Sequence, residues 1–335
     1  MTPAGLRLFV PALAALVALA GCGARALPEP PPSTHPIRIQ AVEVPIDPDR
    51  PGETRIGDFL YAGGLVLKSD DTSLFGGLSD LKVAPNGDMI AETDQGELLR
   101  AHIVLDAAGR LRGLDQADLS ALVGEDGQPL QNKTEADSEG VAPWPNGDLM
   151  VSFERDHRIW LYPAAGGPPQ TLPRPPVAMP DNSGMEGLAL APSQGLDAYW
   201  VGIEGGSIWL CRLQVDCRQW AGLPSPPLGY RLTALGETPG GDFVVVHHGY
   251  NPLTESSRVL VSILALPKDP DGRPKLKAQL KLDPPFAVDN FEGVAAVTSP
   301  TGGLRLYLIS DDNFSPRQRT LLFAFDLAPT RATAH

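Results

Sequence analysis

Three glutamates that each open a short apolar run are followed by glycine: Glu139-Gly140, Glu186-Gly187 and Glu292-Gly293. Each has polar company just upstream, namely Asp137 and Ser138, Asp181 and Asn182, and Asp289 and Asn290. A second polar set closes later apolar runs: Glu92 and Asp94, Glu154 and Arg155, Glu204, His247 and His248, and Asp311 to Asn313. Carboxylates that converge repel one another unless they are protonated or share a cation. Hard oxygen donors with asparagine beside them suit calcium or magnesium better than zinc. Glu139, Glu186, Glu292 and Asp311 are therefore candidate ligands of a divalent cation, calcium first. His247 or Glu154 is the candidate general base. Arg155, with Arg158 and Arg317, is a candidate contact for a substrate anion. The competing structural account has each glutamate capping nearby backbone N–H groups, the arginines forming ion pairs with adjacent carboxylates, and the histidines merely occupying space.

What must bring these residues together is a repeat. The segments beginning Leu78-Ser79-Asp80, Glu139-Gly140-Val141, Glu186-Gly187-Leu188, Leu232-Thr233-Ala234 and Glu292-Gly293-Val294 align as one short apolar strand, a turn and a second apolar strand. Asn86-Gly87, Asn146-Gly147 and Gly240-Gly241 are hairpin turns by composition. A third strand follows each hairpin: Glu97 to Leu105, Arg158 to Tyr162, Ser207 to Leu213, Arg258 to Leu266 and Thr320 to Leu327. Antiparallel units at a period of roughly 45 to 60 residues describe the blades of an all-β propeller. Arg55 to Lys68 either completes the last blade or belongs to a degenerate further one. Six blades is the expected number, with five or seven as alternatives, and a β-sandwich is the rival architecture. Leu114 to Val123 offers at most a short helix. In a propeller the first strand of each blade lines the axis, so the glutamates should face one polar channel mouth, with the glycines allowing close approach of neighbouring inner strands.

The chain has 335 residues, 42% hydrophobic, with 35 Gly and 35 Pro. Each of these is about a tenth of the chain, above the usual roughly 7% and 5%, as many turns between short strands require. A formal net charge of −13 argues against nucleic acid as a partner. It leaves phosphate substrates open, because a bound divalent cation inverts the local charge. Residues 1–21 read as a lipoprotein signal peptide, with Arg7 before the apolar run Leu8 to Ala20 and Leu19-Ala20-Gly21-Cys22 as a lipobox. Cleavage after Ala24-Arg25-Ala26 is the alternative. Acyl chains on Cys22 would hold an exported, periplasm-facing protein on the membrane, and a monomer is the expected state. Residues 22–36 are then a Pro-rich tether and 37–335 the propeller domain. Cys211 and Cys217 read as a disulfide in an oxidising compartment, with two free thiols as the alternative. No G-x-S-x-G, HExxH, P-loop or GxGxxG motif occurs.

Several stretches together resemble the family known as esterase-like activity of phytase, or phytase-like. They are Phe75-Gly76-Gly77-Leu78-Ser79, Asp137-Ser138-Glu139-Gly140-Val141 with Phe153-Glu154-Arg155, and Asn182-Ser183-Gly184-Met185-Glu186-Gly187. The closing stretch is the most specific: Asp289-Asn290-Phe291-Glu292-Gly293-Val294, Leu308 to Phe314, and Gln318-Arg319-Thr320. The resemblance spans about residues 57 to 327 and implies an exported bacterial propeller. His247-His248-Gly249 departs from it where relatives tend to show Glu-Arg, and the Asp-Ala-Asp-Asp-Pro-type motif of alkaline β-propeller phytases is absent. The expected activity is metal-dependent hydrolysis of a small phosphoester or other ester. A lactonase of the gluconolactonase type and a non-catalytic envelope binding protein are the alternatives.

Overall fold

The computed structural model describes residues 34–220, 226–266 and 272–329. The signal-peptide region, Cys22 and most of the Pro-rich segment lie outside these residues. Ahead of the repeats come β1 (His35–Pro36), β2 (Gln40–Glu43), β3 (Arg55–Ile56) and β4 (Phe59–Lys68). Blade 1 is β5 (Leu78–Val83), β6 (Asp88–Thr93), β7 (Glu97–Leu105) and β8 (Leu111–Ala121), with β1 on its outer edge. One helical turn, α1 (Lys133–Ala136), leads to blade 2: β9 (Ser138–Pro143), β10 (Leu149–Phe153), β11 (Arg158–Tyr162) and β12 (Gln170–Leu172). Blade 3 is β13 (Gly187–Leu190), β14 (Ala198–Gly202), β15 (Ile208–Arg212) and β16 (Val215–Gln219). Blade 4 is β17 (Arg231–Glu237), β18 (Phe243–Asn251), β19 (Ser256–Ala265) and β20 (Lys275–Leu282). Blade 5 starts with β21 (Asn290–Thr298), β22 (Leu304–Asp311) and β23 (Leu321–Leu327) and is completed by β4 and β2.

The ring therefore has five blades, not six. Arg55 to Lys68 makes no blade of its own, because β4 pairs along β23 from Val66 opposite Leu321 to Phe59 opposite Leu327, and β3 only flanks β4. Leu114 to Val123 is not helical. Most of it belongs to β8, paired to β7, with Leu114, Ala117 and Leu119 turned inward. The innermost strands pack in the order β5, β9, β13, β17, β21 and back to β5, which closes the channel wall.

The hairpins repeat one turn. Ala84, Trp144, Thr238 and Ser299 each donate an N–H across the turn, to the carbonyls of Asp88, Asp148, Asp242 and Gly303 at 2.7–2.8 Å. Gly87 and Gly147 take φ of 93° and 94° there, a left-handed conformation that favours glycine. Period-two alternation then sends successive side chains of one strand into two different blade interfaces. On β18, Phe243 and Val245 pack with blade 3, while Val244 and Val246 pack with blade 5. Five apolar clusters result, one at each junction between neighbouring blades. Cys211 on β15 and Cys217 on β16 form a disulfide, Cα–Cα 4.0 Å, buried against blade 2.

Candidate active site at the channel mouth

A β-bulge at the start of the inner strand positions the glutamates. In blade 2 the pairing steps from Phe153–Ser138 to Ser152–Gly140, so Glu139 is the extra residue. The same step leaves out Ser79 in blade 1, Thr233 in blade 4 and Glu292 in blade 5. Glu186 stands immediately before β13 in the corresponding place. A bulge re-aims its side chain out of the ladder, so one ring position holds Ser79, Glu139, Glu186, Thr233 and Glu292. The glycine that follows is required by packing. A Cβ on Gly140 would lie 2.7 Å from Leu188 Cβ, on Gly187 2.6 Å from Leu235 Cγ, and on Gly293 2.8 Å from the Leu81 backbone nitrogen. Each of these contacts is to the inner strand of the next blade.

The ends of the second strands make another ring. Asp94, Glu154 and Glu204 donate their backbone N–H to Gly77, Asp137 and Gly184, each two residues before the ring position of its blade. His248 and Asp311 pair with Arg231 and Asn290, which stand in the same relation to Thr233 and Glu292. The second ring is thus Asp94, Glu154, Glu204, His248 and Asp311. His247 does not belong to it. By alternation it faces blade 3 with Phe243 and Val245, 5% exposed, its Nδ1 without a hydrogen-bond partner and its pKa lowered to about 4 by burial. The mouth histidine is His248, one residue on, and its Nε2 lies 3.1 Å from Ser257 Oγ.

Cations are distributed unevenly over these carboxylates. Lys133 Nζ sits 2.7 Å from Asp94 Oδ2 and 2.5 Å from Asp137 Oδ1. Arg155 Nε donates to Asp137 Oδ2 at 2.6 Å and its Nη2 to Asn182 Oδ1 at 2.9 Å, from a residue at φ 56°. Arg231 pairs with Glu204, and Arg319 with Asp289. Glu139, Glu186, Glu292, Glu154 and Asp311 have no basic partner among the described residues. Glu186 is reached by the Gly184 N–H at 3.4 Å, and Glu292 by Asn290 Nδ2 at 2.8 Å. Burial first, and then repulsion from Glu186 and Glu292, push the Glu139 carboxyl well above its usual range. Glu186 is raised by burial and by Glu154 and Glu204, and Glu292 by burial and by Asp311 and Glu186. Burial, reinforced by neighbouring carboxylates, moves Glu154 and Asp311 each to about 7.

This bears on the candidate ligands. Glu139, Glu186 and Glu292 belong to one mutually repelling ring, and Asp311 adjoins Glu292. Among the described residues, the carboxylates at metal-ligand spacing are a different set: ligand atoms of Asp137, Glu139 and Glu154 lie within 4.8 Å of one another, and Glu186, Glu292 and Asp311 do not join them. Glu139 and Glu154 have no basic partner among the described residues, and oxygens at this spacing fit a hard divalent ion, with Asp137 already held by Lys133 and Arg155. Arg155 faces Asp137 and Asn182 rather than open space, and Arg158 stacks over Phe153 and Trp160 at 3.9 and 4.1 Å. Lys133 was not singled out from the sequence. Its one signal is its place on a helical turn four residues before Asp137.

Residues 73–314 match the family model described as esterase-like activity of phytase. The chain belongs to this phytase-like family. No curated protein matches it. Among solved structures, the phytase-like chain is similar to virginiamycin B lyase from Staphylococcus aureus, with 10% identity, TM-score 0.42, and 87% of this chain and 100% of that one covered. It is also similar to the Malassezia sympodialis allergen Mala s 1, with 13% identity, TM-score 0.43 and coverage of 84% and 94%. Neither likeness bears on function. The structure does account for the motifs that carry the family resemblance. Asp312 Oδ1 accepts from the Gly77 and Phe314 N–H groups at 2.9 and 3.0 Å, and its Oδ2 accepts from Thr320 Oγ1 at 2.9 Å. A Cβ on Gly77 would lie 2.5 Å from the Phe314 ring. The Phe-Gly-Gly and Asp-Asp-Asn-Phe stretches are thus two sides of the joint between blades 1 and 5.

Proposed function

We propose that this phytase-like propeller is a metal-dependent hydrolase of small phosphoesters or esters, acting at the channel mouth. The observation that carries the reading is the ring of Glu139, Glu186 and Glu292, buried or half-buried and without basic partners among the described residues, while Asp94, Asp137, Glu204 and Asp289 around it are paired. Those three and Asp311 would hold the ion, calcium first, with Asp137 and Glu154 beside Glu139. The ion would supply a polarised phosphoryl or carbonyl oxygen and a more acidic bound water. Glu154, with a pKa of about 7, populates both protonation states near neutrality, which suits a general base or acid. Arg155 and Lys133 hold Asp137 in place. His248, lowered to about 4 by burial and then by Arg231 and Arg258, stays neutral and presents its ring to the mouth. His247 faces away from this space and is withdrawn as the base. Acyl chains on Cys22 would keep the domain at the envelope membrane.

The test is elemental analysis and turnover of generic phosphomonoesters, carboxylic esters and sugar lactones with calcium, magnesium and manganese. Metal content should fall in each of Glu139→Gln, Glu186→Gln and Glu292→Gln, and Glu154→Gln should lose turnover. No metal in the wild type and no turnover with any ion would remove the reading. Lactone opening alone would move the assignment to a lactonase.

A further inference from the structure

The mouth is continued on one side by a cavity of about 910 Å³ between blades 4 and 5, near the top of the range for small-molecule sites, roughly 300–1,000 Å³. Its charges cancel, unlike those of the axial ring. Arg317 and Arg319 line it against Asp289 and Glu255, and Arg319 already holds Asp289 at 3.3 Å. His248 adds no charge, because burial and then Arg231 and Arg258 lower its pKa to about 4. An ion of either sign would lose its hydration here without a net opposite charge to meet it.

What the lining offers instead is neutral hydrogen bonding beside flat apolar surface. Tyr250 stands two residues beyond His248 on β18, so it points to the same side, and it is 52% exposed. Phe286 and Pro284 come from the segment that joins β20 to β21. The Tyr250 hydroxyl and the side-chain amides of Asn313 and Gln318 make no hydrogen bond among the described residues. Each amide brings two donors and an acceptor oxygen. Ser257 Oγ and His248 Nε2, 3.1 Å apart, add a second neutral pair. Backbone strain gathers at the same place. Of the five non-glycine residues with positive φ, Glu255 (48°) and Asn313 (49°) line the cavity, and Phe314 (48°) follows directly. Such strain concentrates where a structure holds side chains for a purpose other than stability. Asn290 joins the two spaces, because it lines the cavity and its amide donates to Glu292 at 2.8 Å.

We infer that the cavity between blades 4 and 5 binds a neutral saccharide of one or two rings. A sugar ring is apolar on its C–H faces and carries hydroxyls around its edge. Its faces lie against Tyr250 and Phe286, and its hydroxyls meet Asn313, Gln318 and the Ser257–His248 pair. A multiply phosphorylated ring does not fit, since Arg317 is a single cation and Glu255 offsets it. Saccharide binding needs neither an ion nor turnover, so it can fail while the proposed hydrolysis stands, and the reverse.

The experiment is isothermal titration of the full-length protein in chelator with cellobiose, lactose, diacetylchitobiose, phenyl phosphate and cyclohexanol. At least one disaccharide should bind about tenfold or more tightly than cyclohexanol, a ring without the further hydroxyls. Raising sodium chloride from about 50 to 500 mM should change that affinity by less than about twofold, since no net charge is neutralised. Tyr250→Ala and Phe286→Ala should each weaken it by roughly tenfold, and Gln318→Ala by roughly fivefold. Tyr250→Ala, at an exposed position, should leave the melting temperature unchanged. Arg317→Gln should keep the affinity within about twofold. The inference is overturned if no disaccharide exceeds cyclohexanol, or if the folded Tyr250→Ala variant binds as well as the wild type. Tighter binding of phenyl phosphate than of every disaccharide, abolished by salt, overturns it too.

Discussion

The two sides of the mouth are built on equivalent backbone positions and have opposite chemistry. On the side of blades 2 and 3, the ring positions are Glu139 and Glu186, and the second strands end in Glu154 and Glu204. On the side of blade 4 the same two positions are Thr233 and His248, with Arg231 and Arg258 close enough to His248 to lower its pKa. Thr233 does not face a ligand; its Oγ1 donates to the Phe291 carbonyl at 3.0 Å and ties blade 4 to blade 5. The propeller supplies five near-identical places, and a few substitutions give a symmetric frame one side crowded with carboxylates and another without them. Fold alone does not imply activity; this asymmetry is what the proposed function rests on.

The largest expected effect separates the sides by pH. Glu154 and Asp311 ionise near 7 in the folded chain, well above the usual carboxylate range. Below about pH 4 both folded and unfolded chains hold these protons and no stability is lost. As pH rises, the unfolded chain releases its protons first, so stability in chelator should fall between about pH 4 and 7, by on the order of several kcal/mol. Calcium should flatten that fall. Denaturant unfolding against pH, with and without calcium, checks it, and a profile that calcium leaves unchanged breaks the contrast between the two sides.

A smaller effect should follow from filling a close approach. Gly293→Ala places a Cβ 2.6 Å from Ile309 Cγ2 and 2.9 Å from Asp80 Cα. The overpacking should cost about 1–3 kcal/mol, read as a lower melting temperature. Next, His248→Glu would give blade 4 the carboxylate that blades 2 and 3 carry. It should lower stability in chelator by about 1–2 kcal/mol, read as melting temperature, because it adds a carboxylate to a mouth whose carboxylates already repel one another. An unchanged melting temperature would show that the charge at this position does not divide the mouth. The smallest effect is that of Arg155→Gln, about 1 kcal/mol, because its side chain is 33% exposed and Lys133 still neutralises Asp137.

Much of the frame was legible in order along the chain. The strand–turn–strand repeat and the glycines that permit close approach follow from composition and periodicity, which are local properties. The blade number was not legible, since one extended segment reads the same whether it completes a sheet or starts one. The choice between His247 and His248 also failed locally. Adjacent strand residues face opposite ways, so which one meets the mouth depends on which blade lies on each side.

The sequence by itself determined the repeat, the acidic residues available at each blade and the overall excess of negative charge. Those are set by residue type and spacing. Only the tertiary structure decided which carboxylates remain unpaired. Lys133, Arg155, Arg231 and Arg319 reach their partners across loops and blade junctions, and ionic pairing depends on distance in space rather than along the chain. The bulge belongs to the same class. It exists only where two strands pair out of step, and it is what turns Glu139 and Glu292 from strand residues into occupants of the mouth.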